Sequence, residues 1–437
     1  MPSILRDFVS FRFVNLAIVL LAYILWVVIL IFCFTQNDNV DEKMTGSVSS
    51  YYAMPRPLAL YAWTIGQWCY WLSPQLSELF TKNAWRSLEQ TSTSGTTTAT
   101  RSNQIPLMDI PTIDIQQFIG NETGALQFLQ HEYGKDWIQR PLYLKGLWAQ
   151  AVLQSSERQL SPKGLLQMNL TIPYFVDSRV YGALKPDAEG SVHKIVRKML
   201  DGHPHKIGSQ LIVQENPQLL VEVAPLSLVT ALFGDYFSMN HLLGHGKTLG
   251  IFPGITTVPL FVANGKATKT NHHQQQQQEE VADHETSNQT DEDASCSKDD
   301  DRQSFENRTT PSTGLHCEPI ANVAVQLSGF RRWTLVDPKY SWMLRPALSR
   351  DGRSFYPSWV TSLDHVPRYE VITNPGDAVF VPTWTWHRVD YMKESEDLSI
   401  GASLFHFRVW DYIMRNPLFA VLIIPSLIGE LGGIRSQ

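Results

Sequence analysis

Cysteine is scarce in this chain. Four occur among 437 residues, Cys33, Cys69, Cys296 and Cys317, too few and too scattered for a disulfide framework. A basic stripe with interleaved aromatics is also missing, which argues against nucleic-acid binding. The net charge is −6, yet Glu279 to Glu306 alone carries eleven acidic residues against Lys298 and Arg302. That local balance of −9 leaves the remainder mildly basic. Large apolar residues are nearly absent from Asn264 to Ser312, a tract of histidine, five consecutive glutamines and acidic residues. Such a tract cannot offset its ordering entropy and is expected to be disordered. Its His272–His273 pair, and an Asp291-Glu292-Asp293 run that mimics the DxD of glycosyltransferases, read as accidents of a biased, solvated segment.

Long apolar runs are few as well. Phe13 to Phe34 gives 22 residues broken only by Asn15, about 33 Å as a helix against a hydrocarbon core of roughly 30 Å. The run exceeds the apolar region of a signal peptide and no small-x-small cleavage site follows it, so a retained transmembrane signal anchor is expected. Arg6 and Arg12 precede it, while Asp38, Asp41 and Glu42 follow. The positive-inside rule then puts residues 1–12 in the cytosol and the rest in a lumen. This is the layout of a single-pass type II membrane protein of the endoplasmic reticulum or Golgi. Sequons at Asn121, Asn169, Asn288 and Asn307 all lie beyond the anchor and are compatible with a glycoprotein. Leu58 to Leu72 is rich in Trp and Tyr, but short and interrupted by Gly66 and Gln67. It reads as an interfacial helix or one packed on a folded domain, with a second crossing left open. Residues 35–104 read as a stem ending in a Ser/Thr linker over 91–104.

A globular domain is expected over 105–437, long enough to bury a large core. Ile110 to Ile115 alternates like a strand, Gln116 to Tyr133 reads as helix, and Arg140 to Trp148 contains a strand. Pro225 to Leu243 looks helical, Thr257 to Ala263 extended, and Leu398 to Phe407 extended again. Val409 to Leu431 forms a helical tail, within 409–437, whose apolar run is too short to span a membrane and contains Pro425. Packing is its plain reading, with a homodimer contact through these helices as the partner expectation.

Two stretches carry chemistry. In Thr313 to Pro338, His316 and Glu318 flank Cys317 and lead into Val323, Val325 and Leu327. On one strand, residues two apart share a face, so the imidazole and carboxylate would converge with Cys317 turned away. In Pro375 to Val389, a Pro-Gly-Asp turn leads through an apolar strand to His387. Two histidines and one carboxylate with open positions form the facial triad of non-haem Fe(II) oxygenases.

The order of these motifs resembles the JmjC and cupin-like (cupin-8 type) Fe(II)/2-oxoglutarate dioxygenases. That family's pattern of HxD/E, a strand, G-x-K/R-x-W and GD-hydrophobic-P-x-x-W-x-H is met by three groups of residues here. They are His316/Glu318, then Gly329 to Trp333, then Gly376-Asp377 through Pro382, Trp384 and His387. The resemblance spans roughly residues 105–415. It implies a mainly β double-stranded β-helix (jelly roll) with flanking helices, lying behind the N-terminal transmembrane helix. It further implies Fe(II) on His316, Glu318 and His387, and 2-oxoglutarate as cosubstrate with ascorbate as reductant. Arg331 falls where the family's lysine grips the far carboxylate, and Thr313 and Asn322 match positions that hydrogen-bond the cosubstrate. Glu318 stands for the commoner Asp, and Arg331 for the commoner Lys. In the family the strand before HxD/E runs almost directly into the ligand strand, so residues 264–312 form an insertion looped out between them. Trp333, Trp384 and Trp386 read as core. A protein side chain is the substrate class that this layout implies, and a lumenal domain disfavours chromatin. The alternative is a catalytically inactive cupin-like binding scaffold.

Overall fold

The computed structural model describes residues 56–69, five positions between 81 and 88, and 107–431 apart from 156, 177–185, 187, 238–254, 266–310, 350–352, 361 and 393–397. The chain divides into two compact units, Met1–Ser102 and Asn103–Gln437. The expected anchor, the Ser/Thr linker, and most of the acidic insertion with its DxD run lie outside the described residues.

In the first unit the helix Arg56–Cys69 occupies most of the aromatic stretch. Ala59, Ala62 and Trp63 are buried, and Gln67 Nε2 donates to Thr81 Oγ1 at 3.1 Å. Fourteen residues rise only about 21 Å, and among the described residues no helix is long and apolar enough to cross a membrane.

The second unit is built from sixteen short strands among its described residues. The first eight are β1 (Leu107–Met108), β2 (Thr112–Asp114), β3 (Leu142–Lys145), β4 (Thr171–Tyr174), β5 (Ala188–Ser191), β6 (Lys206–Ser209), β7 (Ile255–Thr257) and β8 (Leu260–Ala263). The others are β9 (His316–Cys317), β10 (Ala321–Ser328), β11 (Arg331–Val336), β12 (Tyr356–Pro357), β13 (Arg368–Thr373), β14 (Ala378–Val381), β15 (Trp386–Tyr391) and β16 (Ser399–His406). A six-stranded sheet runs β1-β13-β11-β15-β9-β12, and an eight-stranded one β2-β3-β14-β10-β16-β8-β6 with β7 added at β16.

Period-two alternation explains the clusters on the two faces of β10. On β10, Val323, Val325 and Leu327 join a large cluster with Leu129, Val196, Ile212, Phe233 and other helix-side residues. Ala324, pointing the other way, joins Trp333, Leu335, Val379, Val381 and Val389 between the sheets. Asn322 and Gln326 share the face of Ala324, so the inter-sheet space carries polar groups on an otherwise apolar wall.

Several sequence expectations shift at their edges. The helix expected from Gln116 is a short 3-10 turn, Ile115–Phe118, followed by the helix Glu122–Tyr133. The break falls at Gly120, whose φ of 76° no ordinary helical residue adopts. Asn121 caps the second helix by accepting from Gly124 N–H. The strand expected over Thr257 to Ala263 is two, β7 and β8, parted at Val258–Pro259. The helical tail is likewise two helices, Val409–Arg415 and Pro417–Leu431, because the residue before a proline is driven out of the α region.

Candidate metal centre

His316 and Glu318 do not lie on one continuous strand. His316 ends in β9 of the six-stranded sheet, and β10 of the eight-stranded sheet begins at Ala321. Pro319 has no N–H to give to a ladder, and the chain crosses between the sheets at Glu318 to Ile320. The carboxylate therefore sits at the crossing, where it faces the inter-sheet space. Cys317 points away as expected, buried with its thiol pushed up by burial and opposite Tyr356 of β12.

His387 is paired directly with His316 across β15 and β9. Opposed residues on neighbouring antiparallel strands share a face, and the two imidazole centroids lie 4.3 Å apart. His316 Nε2 is 3.6 Å from Glu318 Oε1. One ligand atom from each of His316, Glu318 and His387 lies within 4.8 Å of the others.

Both imidazoles are held at their other nitrogen. His316 Nδ1 donates to the Gly314 carbonyl at 2.6 Å and His387 Nδ1 to the Thr385 carbonyl at 3.0 Å. In each ring the lone pair is then on Nε2, the arrangement that outer-shell partners impose on metal-binding histidines. Burial, and then the neighbouring His316, push His387 down to about 4 against the pull of Glu318 and the Thr385 carbonyl. The ring is neutral at physiological pH, as a ligand must be. Burial alone would raise the Glu318 carboxyl, but the two imidazoles and Arg353 hold it below its usual value. The donor set, two imidazoles and an ionised carboxylate converging from two sheets, fits a divalent ion such as iron(II).

The turn before His387 is tied to Glu318. Thr385 N–H donates to the Pro382 carbonyl, and Trp384 stands at φ 63° in the position where such a turn normally takes glycine. A tryptophan is retained in this strained conformation because the surroundings fix it. Trp384 N–H donates to the Glu318 carbonyl at 2.9 Å, its indole N–H to the Tyr412 carbonyl at 2.8 Å, and the ring is fully buried. Trp333 and Trp386 are buried too, so all three tryptophans are core as expected.

Residues 262–408 match the family model of a cupin-like domain. The chain carries a cupin-like domain. No curated protein matches the chain. The match brackets all three candidate ligands, and the cupin-like domain with its triad is compatible with a JmjC-type oxygenase.

At the other end of β11, Arg331 lies four residues from Leu335, the register partner of His387, a run of roughly 13 Å. Its side chain faces the inter-sheet space, as do those of Trp333 and Leu335, and is 3 % exposed. Arg331 Nε donates to Ser399 Oγ at 2.9 Å, a terminal nitrogen donates to the Phe261 carbonyl at 2.7 Å, and the guanidinium lies 5.0 Å from the Tyr391 ring centroid. Gly401 opens this place, since a Cβ there would collide with the guanidinium. Asn322 is buried with no partner for its Oδ1. Thr313 bridges to β15: its Oγ1 accepts from Val389 N–H at 2.9 Å while its own N–H donates to the Val389 carbonyl.

The Gly376-Asp377 turn is structural. Asp377 accepts from Tyr143 O–H at 2.5 Å, Gly146 N–H at 2.8 Å and Asn374 N–H at 2.9 Å, clasping β3 to β14. Burial first, then the hydrogen bond and charge of Asp377, push the Tyr143 phenol up. Sequence reading passed over Lys206, Ser399 and Gly401, which line the Arg331 end. A lone lysine or serine in an alternating strand carries no pattern that marks it.

Proposed function

We propose that the chain is a membrane-anchored Fe(II)/2-oxoglutarate-dependent oxygenase that hydroxylates a protein side chain. The observation that supports it most is the convergence of His316, Glu318 and His387 within 4.8 Å, with each imidazole fixed at Nδ1 by a backbone carbonyl. Three protein ligands leave positions open for a bidentate cosubstrate and oxygen. Iron(II) and 2-oxoglutarate, when bound, would supply the oxidising power for C–H hydroxylation coupled to decarboxylation to succinate, with ascorbate as reductant.

The chain's own residues position and enclose. Arg331 offers N–H donors to the far carboxylate, and a guanidinium grips a carboxylate through two parallel hydrogen bonds. Asn322, buried with an unpartnered oxygen, meets a polar group of the cosubstrate, and the Thr313 hydroxyl keeps its proton to donate. Val379, Val381 and Val389 give the apolar wall that excludes water. Phe13 to Phe34 anchors the protein with the cupin-like domain in the lumen of the endoplasmic reticulum or Golgi. A second copy docks on the tail, where Trp410, Ile413 and Met414 of one helix and Ile424 and Ile428 of the next are exposed. Sedimentation equilibrium should then give a dimer for the wild type and a monomer for Trp410→Glu/Met414→Glu.

A scaffold without catalysis is the second reading, favoured by the fact that Arg331 already donates to Ser399 and Phe261. Succinate release from 2-oxoglutarate by the full-length chain in mild detergent, with Fe(II) and ascorbate, decides between them. Uncoupled turnover that disappears in His316→Ala supports the oxygenase. Neither turnover nor retained iron in the wild type leaves the scaffold.

A further inference from the structure

Lys206 opens β6, the last strand of the eight-stranded sheet. Lysines on edge strands ordinarily point to water and discourage pairing with other chains. This one points inward and is 9 % exposed. Its backbone is pinned by reciprocal hydrogen bonds with Phe175, at 2.8 and 3.0 Å, and its ammonium lies 5.0 Å from the Phe175 ring centroid. No carboxylate pairs with it among the described residues. Burial, then Arg331 and Arg353, push its amine down to about 8.

Register places Lys206 in the same space as Arg331. Lys206 is opposite Ala263 on β8, and Ala263 is opposite Ser399 on β16. The three therefore share one face, with Lys206 and Ser399 two strands, or about 10 Å, apart. Ser399 Oγ is the group that accepts from Arg331 Nε. The next inward position of β6 is Gly208, which has no side chain and where an added Cβ would meet the Phe261 and Phe175 rings. Glycine at 401 admits the Arg331 guanidinium, glycine at 208 admits the Phe261 and Phe175 rings, and serine at 399 keeps the row between the two cations small. A buried cation without a counter-charge is costly, and a second one beside it is more so, unless an anion occupies the space between them.

We infer that Lys206 and Arg331 together form an anion subsite at the end of the inter-sheet space away from the triad, taking the distal carboxylate of a small dicarboxylate. This rests on the cosubstrate reading above for the identity of the dicarboxylate, but the two cations do not need the metal to hold a carboxylate. Lys206 is a binding residue, one of two charges across which the carboxylate is shared.

Calorimetric titration of the full-length chain with three probes tests it. The probes are 2-oxoglutarate with Mn(II), 2-oxopentanoate with Mn(II), which lacks the distal carboxylate, and glutarate without metal. Lys206→Met should weaken 2-oxoglutarate by about 10- to 100-fold, the scale of a charged hydrogen bond, and leave 2-oxopentanoate unchanged. Lys206→Arg should recover most of the loss. Lys206→Met should also melt at or above the wild-type temperature without ligand, since it removes an unpaired buried charge. Equal weakening of both keto acids, unchanged 2-oxoglutarate binding, or a lower melting temperature for the ligand-free methionine variant would overturn the subsite. Glutarate bound by the wild type without metal and lost in Lys206→Met upholds it even where 2-oxoglutarate turnover is absent. Failure of the oxygenase reading is thereby separated from failure of the subsite.

Discussion

At the scale of single residues, the triad bears on metal affinity and Lys206 on stability. His387→Ala removes a candidate ligand whose Nδ1 is already fixed by Thr385. Its loss of metal affinity should exceed the roughly 10- to 100-fold lost when only an outer-shell partner is removed. Metal content after dialysis checks this, and retention of stoichiometric metal would remove His387 from the ligand set. Lys206 gives a pH effect with a definite sign. Its folded value of about 8 lies below its ordinary 10.5, so between these values the unfolded chain binds more protons. Stability contributed by this group rises as pH climbs from 8 to 10.5, and the penalty is full below 8. Denaturant unfolding at pH 7.5 and 10 should show wild type gaining on Lys206→Met by an amount on the order of a few kcal/mol. A parallel response of the two proteins would mean that the amine is not desolvated.

At the scale of elements, two junctions keep the triad in place. The first is the Pro375-Gly376-Asp377 turn. Gly376 has φ 96°, and a Cβ there would lie 2.5 Å from the Trp148 carbonyl oxygen. Gly376→Ala should cost about 1–3 kcal/mol from backbone strain, with the collision added. Chemical denaturation measures this, and wild-type stability would show that the turn can relax. The second junction is the tail. Phe419 is fully buried, stacks on Tyr356 at 4.1 Å and meets Trp384 edge-on at 5.9 Å. Tyr356 O–H in turn donates to the Phe419 carbonyl. Phe419→Ala should cost about 3–5 kcal/mol and loosen the Trp384 turn that joins Glu318 to His387. Metal affinity should fall along with stability, although Phe419 is not one of the candidate ligands. Lost stability with unchanged affinity would show that the tail supports the core alone.

At the scale of the whole molecule, topology decides which substrates the site can meet. Asn121 and Asn169 are exposed in the second unit, so a lumenal domain would offer both to the glycosylation machinery. Expression in mammalian cells followed by endoglycosidase digestion should give a mobility shift that disappears when both asparagines, with Asn288 and Asn307, are changed to Gln. An unshifted wild-type chain would put the domain on the cytosolic side and reopen intracellular substrates. An insertion over 264–312, as the family resemblance implies, would matter little to the fold at this scale. The tract leaves the eight-stranded sheet after β8 and returns before β9 in the other sheet, and closing a longer loop adds only slowly to the entropy cost.

The sequence by itself singled out the three candidate ligands that the fold brings together. His316, Glu318 and His387 are embedded in turn and strand signals, Ser328-Gly329, Pro375-Gly376-Asp377 and the alternation of β10, that are local and survive in one dimension. It also determined that Cys317 faces away and that the tryptophans are core, since period two and apolarity are properties of neighbours along the chain. Only the tertiary structure decided that the triad is assembled from a crossing between two sheets, because a break at Pro319 and a pairing of β9 with β15 concern residues about seventy positions apart. It alone placed Lys206 and Arg331 on one space, through the row Lys206, Ala263, Ser399 across three strands. Burial and charge proximity are sums over the whole fold, and no stretch of sequence around a single lysine contains them.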